Sequence, residues 1–251
     1  MTQFTGAGDP ARTLALLWRD PAAVPRRGPQ RSLTVDSVVA AATAIAREHG
    51  LPALTMRRVA EALGVVPMTL YTYVPGKAEL LDLMLDAAYA GMERTDTTGR
   101  PWRERLTTVA DENRALFEAH PWAAEVAPGR PPLGPGAIGK YEYELSTLDG
   151  LGLTDLEMDA CLTYLLEFVR ANAHTAHAAA AVRRASSLTD PQWWEKAGPV
   201  LERYLDPERY PIASRVGAAA GAAYGGAYDP DHAYRFGLRR VLDGLATLIE
   251  R

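Results

Sequence analysis

Thr55, Arg57, Thr69, Tyr71, Thr72, Tyr73 and Lys77 bring hydroxyls, a guanidinium and an ammonium into one short stretch of a 251-residue chain. That donor set suits a nucleic-acid duplex. A guanidinium fork matches a guanine edge, so Arg57 is the candidate base reader, with Thr72 as a second. Tyr71, Tyr73, the Thr55 hydroxyl and the Lys77 ammonium suit phosphate oxygens. Pro67 and Met68 offer apolar contact to thymine methyls, with Thr69 beside them. Leu70 and Val74 are expected in the core, and Arg58 stands open between solvent and DNA.

Other groupings carry less chemistry. His174 and His177 lie three apart, with Glu167 two helical turns before His174. Further ligands at a diagnostic spacing are missing, so no metal site is expected. Gly134-Pro-Gly136-Ala-Ile-Gly139 fits a dinucleotide fingerprint, but that motif must follow a strand, and Arg130-Pro131-Pro132-Leu133 cannot supply one. It reads as a loop, and no cofactor is expected. Neither G-x-S-x-G nor H-E-x-x-H occurs, so hydrolase and metalloprotease chemistry has no support.

For the donors to act together, short elements must hold them. Thr55 is a helix-capping residue type, and Val59, Ala60 and Leu63 follow at helical spacing. Gly64 ends that helix where a left-handed turn is needed. Pro67 opens a second helix running to about Tyr73. Two short helices across a glycine turn form a helix-turn-helix, whose second helix enters the major groove. A helix from about Thr34 to His49, with Val35, Val38, Val39, Ala42, Ile45 and Ala46 as its buried stripe, braces the pair. Charge agrees: residues 1–77 hold nine Lys/Arg against five Asp/Glu, while residues 78–251 hold 18 against 26. The net −4 thus hides a positive end able to approach phosphates.

The segments LTMRRVAEALGV and TLYTYV, Lys77, and the preceding helix Val38–Ile45 resemble the tetracycline-repressor (TetR) family of transcriptional regulators. The close match covers residues 34 to about 90; beyond it the likeness is in helical pattern and length. The resemblance implies a twofold dimer whose two recognition helices lie about one DNA turn, ~34–36 Å, apart on a palindromic operator. It also implies a body that binds a small effector and a helix linking head to body. One departure is clear. Ala127, in HPWAAEVAPG, stands where the tetracycline repressor itself would place a metal-chelating histidine, which argues against a magnesium–tetracycline chelate as ligand.

The expected division is a flexible arm (1–30), a DNA-binding head (31–77) and a helical effector-binding and dimerisation body (78–251). Within the arm, Leu14 to Trp18 form an apolar patch able to dock on the body. Arg26, Arg27 and Arg31 either reach DNA or are solvated. After Lys77, Leu80, Leu81, Met84, Leu85 and Ala88 mark a linking helix. Further helices are expected at Trp102–His120, about 138–149 and 155–184. The Asp-Pro steps at 190, 206 and 229 are read as helix starts. Asn113, Phe117, Glu144, Tyr164, Glu167, Phe168 and His174 mix polar and aromatic groups beside apolar stripes, as an effector pocket requires; a Glu167–Arg170 ion pair is the competing account. Leu238, Val241, Leu242 and Leu245, in a stripe too wide for an isolated surface helix, are assigned to the dimer seam or, failing that, to the chain's own core. The lone Cys161 reads as a small core residue in a reducing cytoplasm. No apolar run is long enough to span a membrane, and no signal peptide is apparent. The reading is an all-α, dimeric, ligand-responsive repressor and not an enzyme. Its alternatives are an activator, or a helical-body enzyme or interaction module without effector control.

Overall fold

The computed structural model describes residues 5–21, 33–126, 129–226 and 228–251. Its helices are α1 (Pro10–Leu17), α2 (Val35–His49), α3 (Met56–Ala62), α4 (Pro67–Tyr73), α5 (Lys77–Ala90), α6 (Trp102–Ala119), α7 (Pro121–Glu125), α8 (Pro135–Ser146), α9 (Asp155–Ser186), α10 (Asp190–Leu201), α11 (Pro211–Tyr224) and α12 (Pro230–Ile249). A 3-10 turn, Leu51–Ala53, joins α2 to α3. No strand occurs among the described residues, and none of the helices is long and apolar enough to cross a membrane.

Local chemistry fixes the head. Thr34 and Ser37 exchange side-chain bonds across the first turn of α2, a capping box that satisfies two otherwise unpaired donors. All six residues of the α2 stripe are buried, as its spacing predicts. Thr55 caps α3 by accepting from the Arg58 amide at 3.1 Å. The end of α3 is a Schellman turn: Val65 N–H reaches Ala60 O at 3.0 Å and Gly64 N–H reaches Glu61 O at 3.1 Å. Gly64 takes φ +66°, which explains the glycine.

In the body, α5 packs on α8, α6 on α9, and α9 on α12, while α2 of the head lies against α5. One face of α5 carries three buried carboxylates, Glu79, Asp82 and Asp86. Asp86 accepts the Ala137 amide at 2.8 Å, capping the first turn of α8. A Cβ on Gly136 would strike the Asp86 carbonyl, so glycine lets the two helices approach this closely.

Two expectations change. The supposed N-terminal arm contains α1, whose Leu16 and Leu17 are buried against the body; the apolar patch docks as anticipated. Asp206-Pro207 forms a turn, because the Asp206 carboxylate takes the Glu208 and Arg209 amides and the next helix waits for Pro211. Asp190-Pro191 opens α10 as expected, with Thr189 as its cap. Arg26, Arg27, Arg31 and Ala127 lie outside the described residues.

Candidate functional site

The outer face of the helix-turn-helix is built from few residues. Val66 and Met68 are 65% and 77% exposed at the start of α4, beside exposed Pro67. Such apolar exposure gains nothing in water and suits contact with an apolar base feature. Tyr71 and Thr72 are also exposed, and Thr69 is half-buried. The Thr72 hydroxyl donates to Met68 O at 3.3 Å within the helix. Arg57 projects from α3 and is held by Glu61 one turn on, Nε to Oε1 2.9 Å. A solvent-exposed pair of this kind is weak, so the guanidinium is readily released to a stronger acceptor.

Three of the assigned contact residues also have partners within the head. Tyr73 is buried with Leu70 and Val74 in the head core, since in so short a helix these positions share the inward face. Most of its surface is thereby withdrawn from the phosphate contact expected of it. Lys77, at the first turn of α5, donates to Leu51 O at 3.5 Å, and partial burial lowers its pKa. It ties the linking helix to the head as well as adding charge. The Thr55 oxygen accepts the α3 cap bond, which leaves its O–H able to donate to a phosphate.

The effector residues divide. Asn113 and Glu144 meet in the interior, Nδ2 to Oε1 2.6 Å, with Phe117 buried one turn further along α6. Glu144 also accepts from buried Lys140 at 2.8 Å, and the Lys140 ammonium lies 5.2 Å from the centre of the Tyr89 ring. Burial lowers the Lys140 pKa against the opposing pull of Glu144, and burial first, then Glu144, raises Tyr89 to about 12. Alongside, Tyr143 OH and Thr95 N–H both donate to Glu112 at 2.8 Å. Phe168 stacks on Tyr234, centroids 5.9 Å apart, above Gly237, where a Cβ would strike the ring.

Tyr164, Glu167 and His174 instead face out from α9. Glu167 pairs with Arg170 at 2.6 Å, the competing account raised by their spacing. The three are therefore not brought together with Asn113 and Glu144. Lys140 was missed, although its i,i+4 relation to Glu144 is visible in the sequence. Tyr89 left no such signal.

The assigned dimer stripe also turns inward. Leu238, Val241, Leu242 and Leu245 are only 5–7% exposed within the single chain, packed where α12 meets α9 and α6. The outer faces of these helices carry different residues: Leu156 and Tyr164 on α9, Phe236 and Gly244 on α12. Among the described residues no three of His, Cys, Asp and Glu converge as a metal site; His177 faces Glu125 at 3.5 Å.

Comparison with known proteins matches this geometry. Residues 38–84 match the model "Bacterial regulatory proteins, tetR family", and residues 96–249 match "Tetracyclin repressor-like, C-terminal domain". The HTH-type transcriptional repressor DrrR1 of Streptomyces coeruleorubidus is 42% identical over 249 residues, covering 99% of this chain and 90% of that protein. The class C tetracycline repressor protein of Escherichia coli is 26% identical over 216 residues, 85% and 90% of the two chains. Among solved structures, ActR of Streptomyces coelicolor in complex with actinorhodin superposes with a TM-score of 0.67 at 29% identity, covering 86% of this chain and 97% of that one. Its complex with (S)-DNPA gives 0.68 at 28%, covering 86% and 98%.

Proposed function

The chain belongs to the tetracycline-repressor family of transcriptional regulators, and on that premise we propose that it is a cytoplasmic repressor released from DNA by a small organic effector. The observation that carries the reading is the capped α3–α4 turn, with Arg57 exposed on α3 and Pro67, Met68, Tyr71 and Thr72 exposed on α4. Two such heads, paired through the body, read a palindromic operator. The division into a head of residues 31–77 and a body of residues 78–251 follows from it.

Effector binding belongs to the body interior. The Asn113–Glu144–Lys140 cluster is a set of buried polar groups that a ligand can exchange for its own, beside the apolar wall of Phe117 and the Tyr89 ring. ActR was solved with actinorhodin, and by analogy the effector here is a small organic molecule. Arg170, whose buried Nε lacks a partner, adds a cationic anchor. Nothing in this cluster pairs a nucleophile with a base, which favours a binding protein over an enzyme.

Pairing is carried by the outer faces of α9 and α12, where Leu156, Tyr164 and Phe236 are exposed. Open Gly244 lets a mate helix approach closely.

Footprinting on the DNA flanking its own gene, followed by titration across salt concentrations, tests the reading. Arg57→Ala should cost about 1–3 kcal/mol on the operator only. Lys77→Ala should weaken all sequences and flatten the salt slope. Unchanged binding by both variants removes the motif from DNA. A molecule that releases the operator must itself bind more weakly, by the same factor, when DNA is present. Equal ligand affinities with and without operator refute the release mechanism.

A further inference from the structure

Residues 5–20 precede the family-model match, which begins at residue 38, yet they are tied into three parts of the molecule. Gly6 N–H donates to both oxygens of buried Asp82, halfway along α5, at 3.0 and 3.2 Å. Thr5 takes the Gly129 amide on its hydroxyl at 3.2 Å, so the same residues hold the loop leading into α8. Gly8 passes so close to α5 that a Cβ would run into the Glu79 carboxylate. Asp9 caps α1 by accepting from the Arg12 amide at 2.8 Å, and Leu16 and Leu17 are buried beneath it.

The far end of α1 makes the remaining ties. Trp18 Nε1 donates to Leu133 O at 2.9 Å, a second hold on the loop before α8. Arg19 then reaches the head: its Nη2 lies 2.6 Å from the Asp36 carboxylate in the first turn of α2. Arg19 adopts a left-handed φ of 53°, and its guanidinium also takes backbone carbonyls at the end of α1. It is therefore aimed by the helix end that precedes it.

We propose that residues 5–20 form a strap that fixes the angle between head and body, making Gly6, Trp18 and Arg19 positioning residues for operator recognition. The argument is mechanical. Helix α1 is a rigid spacer of about 12 Å. Its front end grips the helix that links head to body, and its back end grips the brace of the helix-turn-helix. If α5 swings relative to α2, the Gly6–Asp82 and Arg19–Asp36 contacts cannot both survive. The strap thus opposes the alternative head spacing, and any effector that moves α5 must first break one of its ends. Asp82 is buried and accepts this backbone amide on both oxygens, so opening the front end would strip a buried carboxylate of that partner.

The test rests on the proposed two-headed operator reading and is arranged to separate the two. A Trp18→Ala, Arg19→Ala variant removes only the back end, at exposed or half-exposed side chains, so the fold should survive; thermal melting and sedimentation check that. Its affinity is measured on the parent operator and on versions with one base pair added or removed between half-sites. The parent should discriminate sharply among the spacings. The variant should lose at least about fivefold of that discrimination, the lower end of ordinary coupling between sites. Asp82→Ala should do the same from the front end, while Asp82→Asn, which keeps an acceptor for Gly6, should behave as the parent. A merely structural strap would lower affinity for every spacing equally, and an unchanged discrimination ratio overturns the proposal. If the parent itself prefers no operator, the operator reading falls and the strap's role falls with it.

Discussion

His120 stands at the break between α6 and α7 and is the residue most exposed to a change of conditions. Its ring meets Trp122 edge-on at 5.9 Å, and its buried Nδ1 has no partner. It borders a cleft of about 420 Å³ between α2 and the end of α5, with Arg47 and Gly91 on the same wall. Burial, and then the Arg47 charge, holds its pKa below the ordinary histidine value. In the window between the lowered folded value and 6.5, the unfolded chain binds more protons. Stability therefore falls as pH drops through that window. Melting curves from about pH 7.5 to about pH 5 should show this loss, and His120→Gln should remove part of it. A variant with the parent's pH slope would assign the loss to other groups. At this scale the sequence was legible where chemistry was distinctive: Arg57 and Met68 project outward as their types suggested. It was not legible for Tyr73, because a tyrosine suits a core and a phosphate equally well.

Among the elements, α8 shows most directly what its residues demand. Lys140 and Glu144 are one turn apart, buried, and 2.7 Å from each other. Removing one partner leaves an unpaired buried charge, so Lys140→Met alone should destabilise by about 3–5 kcal/mol. Adding Glu144→Gln keeps an acceptor for Asn113 and should recover most of that loss. Denaturant unfolding of the two variants decides it; equal losses would mean that the pair is not coupled. The helices themselves were readable from the sequence. The stripe of α2 repeats at the helical period, and period is what burial selects. Helix α5, by contrast, buries its expected core positions together with Glu79, Asp82, Leu83 and Asp86. The failures lie where periodicity is silent. Asp206-Pro207 has the composition of a helix start, but the Asp206 carboxylate closes a local turn on the Glu208 and Arg209 amides. On α9, polar residues occur on both faces, so Tyr164, Glu167 and His174 could not be sorted from the inward side. The apolar stripe of α12 was correctly found and its partner misassigned, since an inward core and a twofold seam require the same residues.

For the whole molecule, that misassignment becomes a test of how two copies meet. Leu242→Glu places a charge in the core of one chain and should unfold it. Tyr164→Glu with Phe236→Glu changes only exposed positions, so the chain should stay helical while sedimentation reports monomer and operator binding falls. A folded dimer from the second variant would move the seam off α9 and α12. The molecule's outer end carries a related burden. Helix α9 runs about 48 Å, and beyond it neither α10 nor α11 buries a single side chain. Trp193, Tyr204 and Ile212 are 50%, 79% and 69% exposed there. A lone chain leaves these apolar side chains in water, and a second copy seated on α10 and α11 would withdraw them. If a second copy covers them, the folded state gains stability as protein concentration rises.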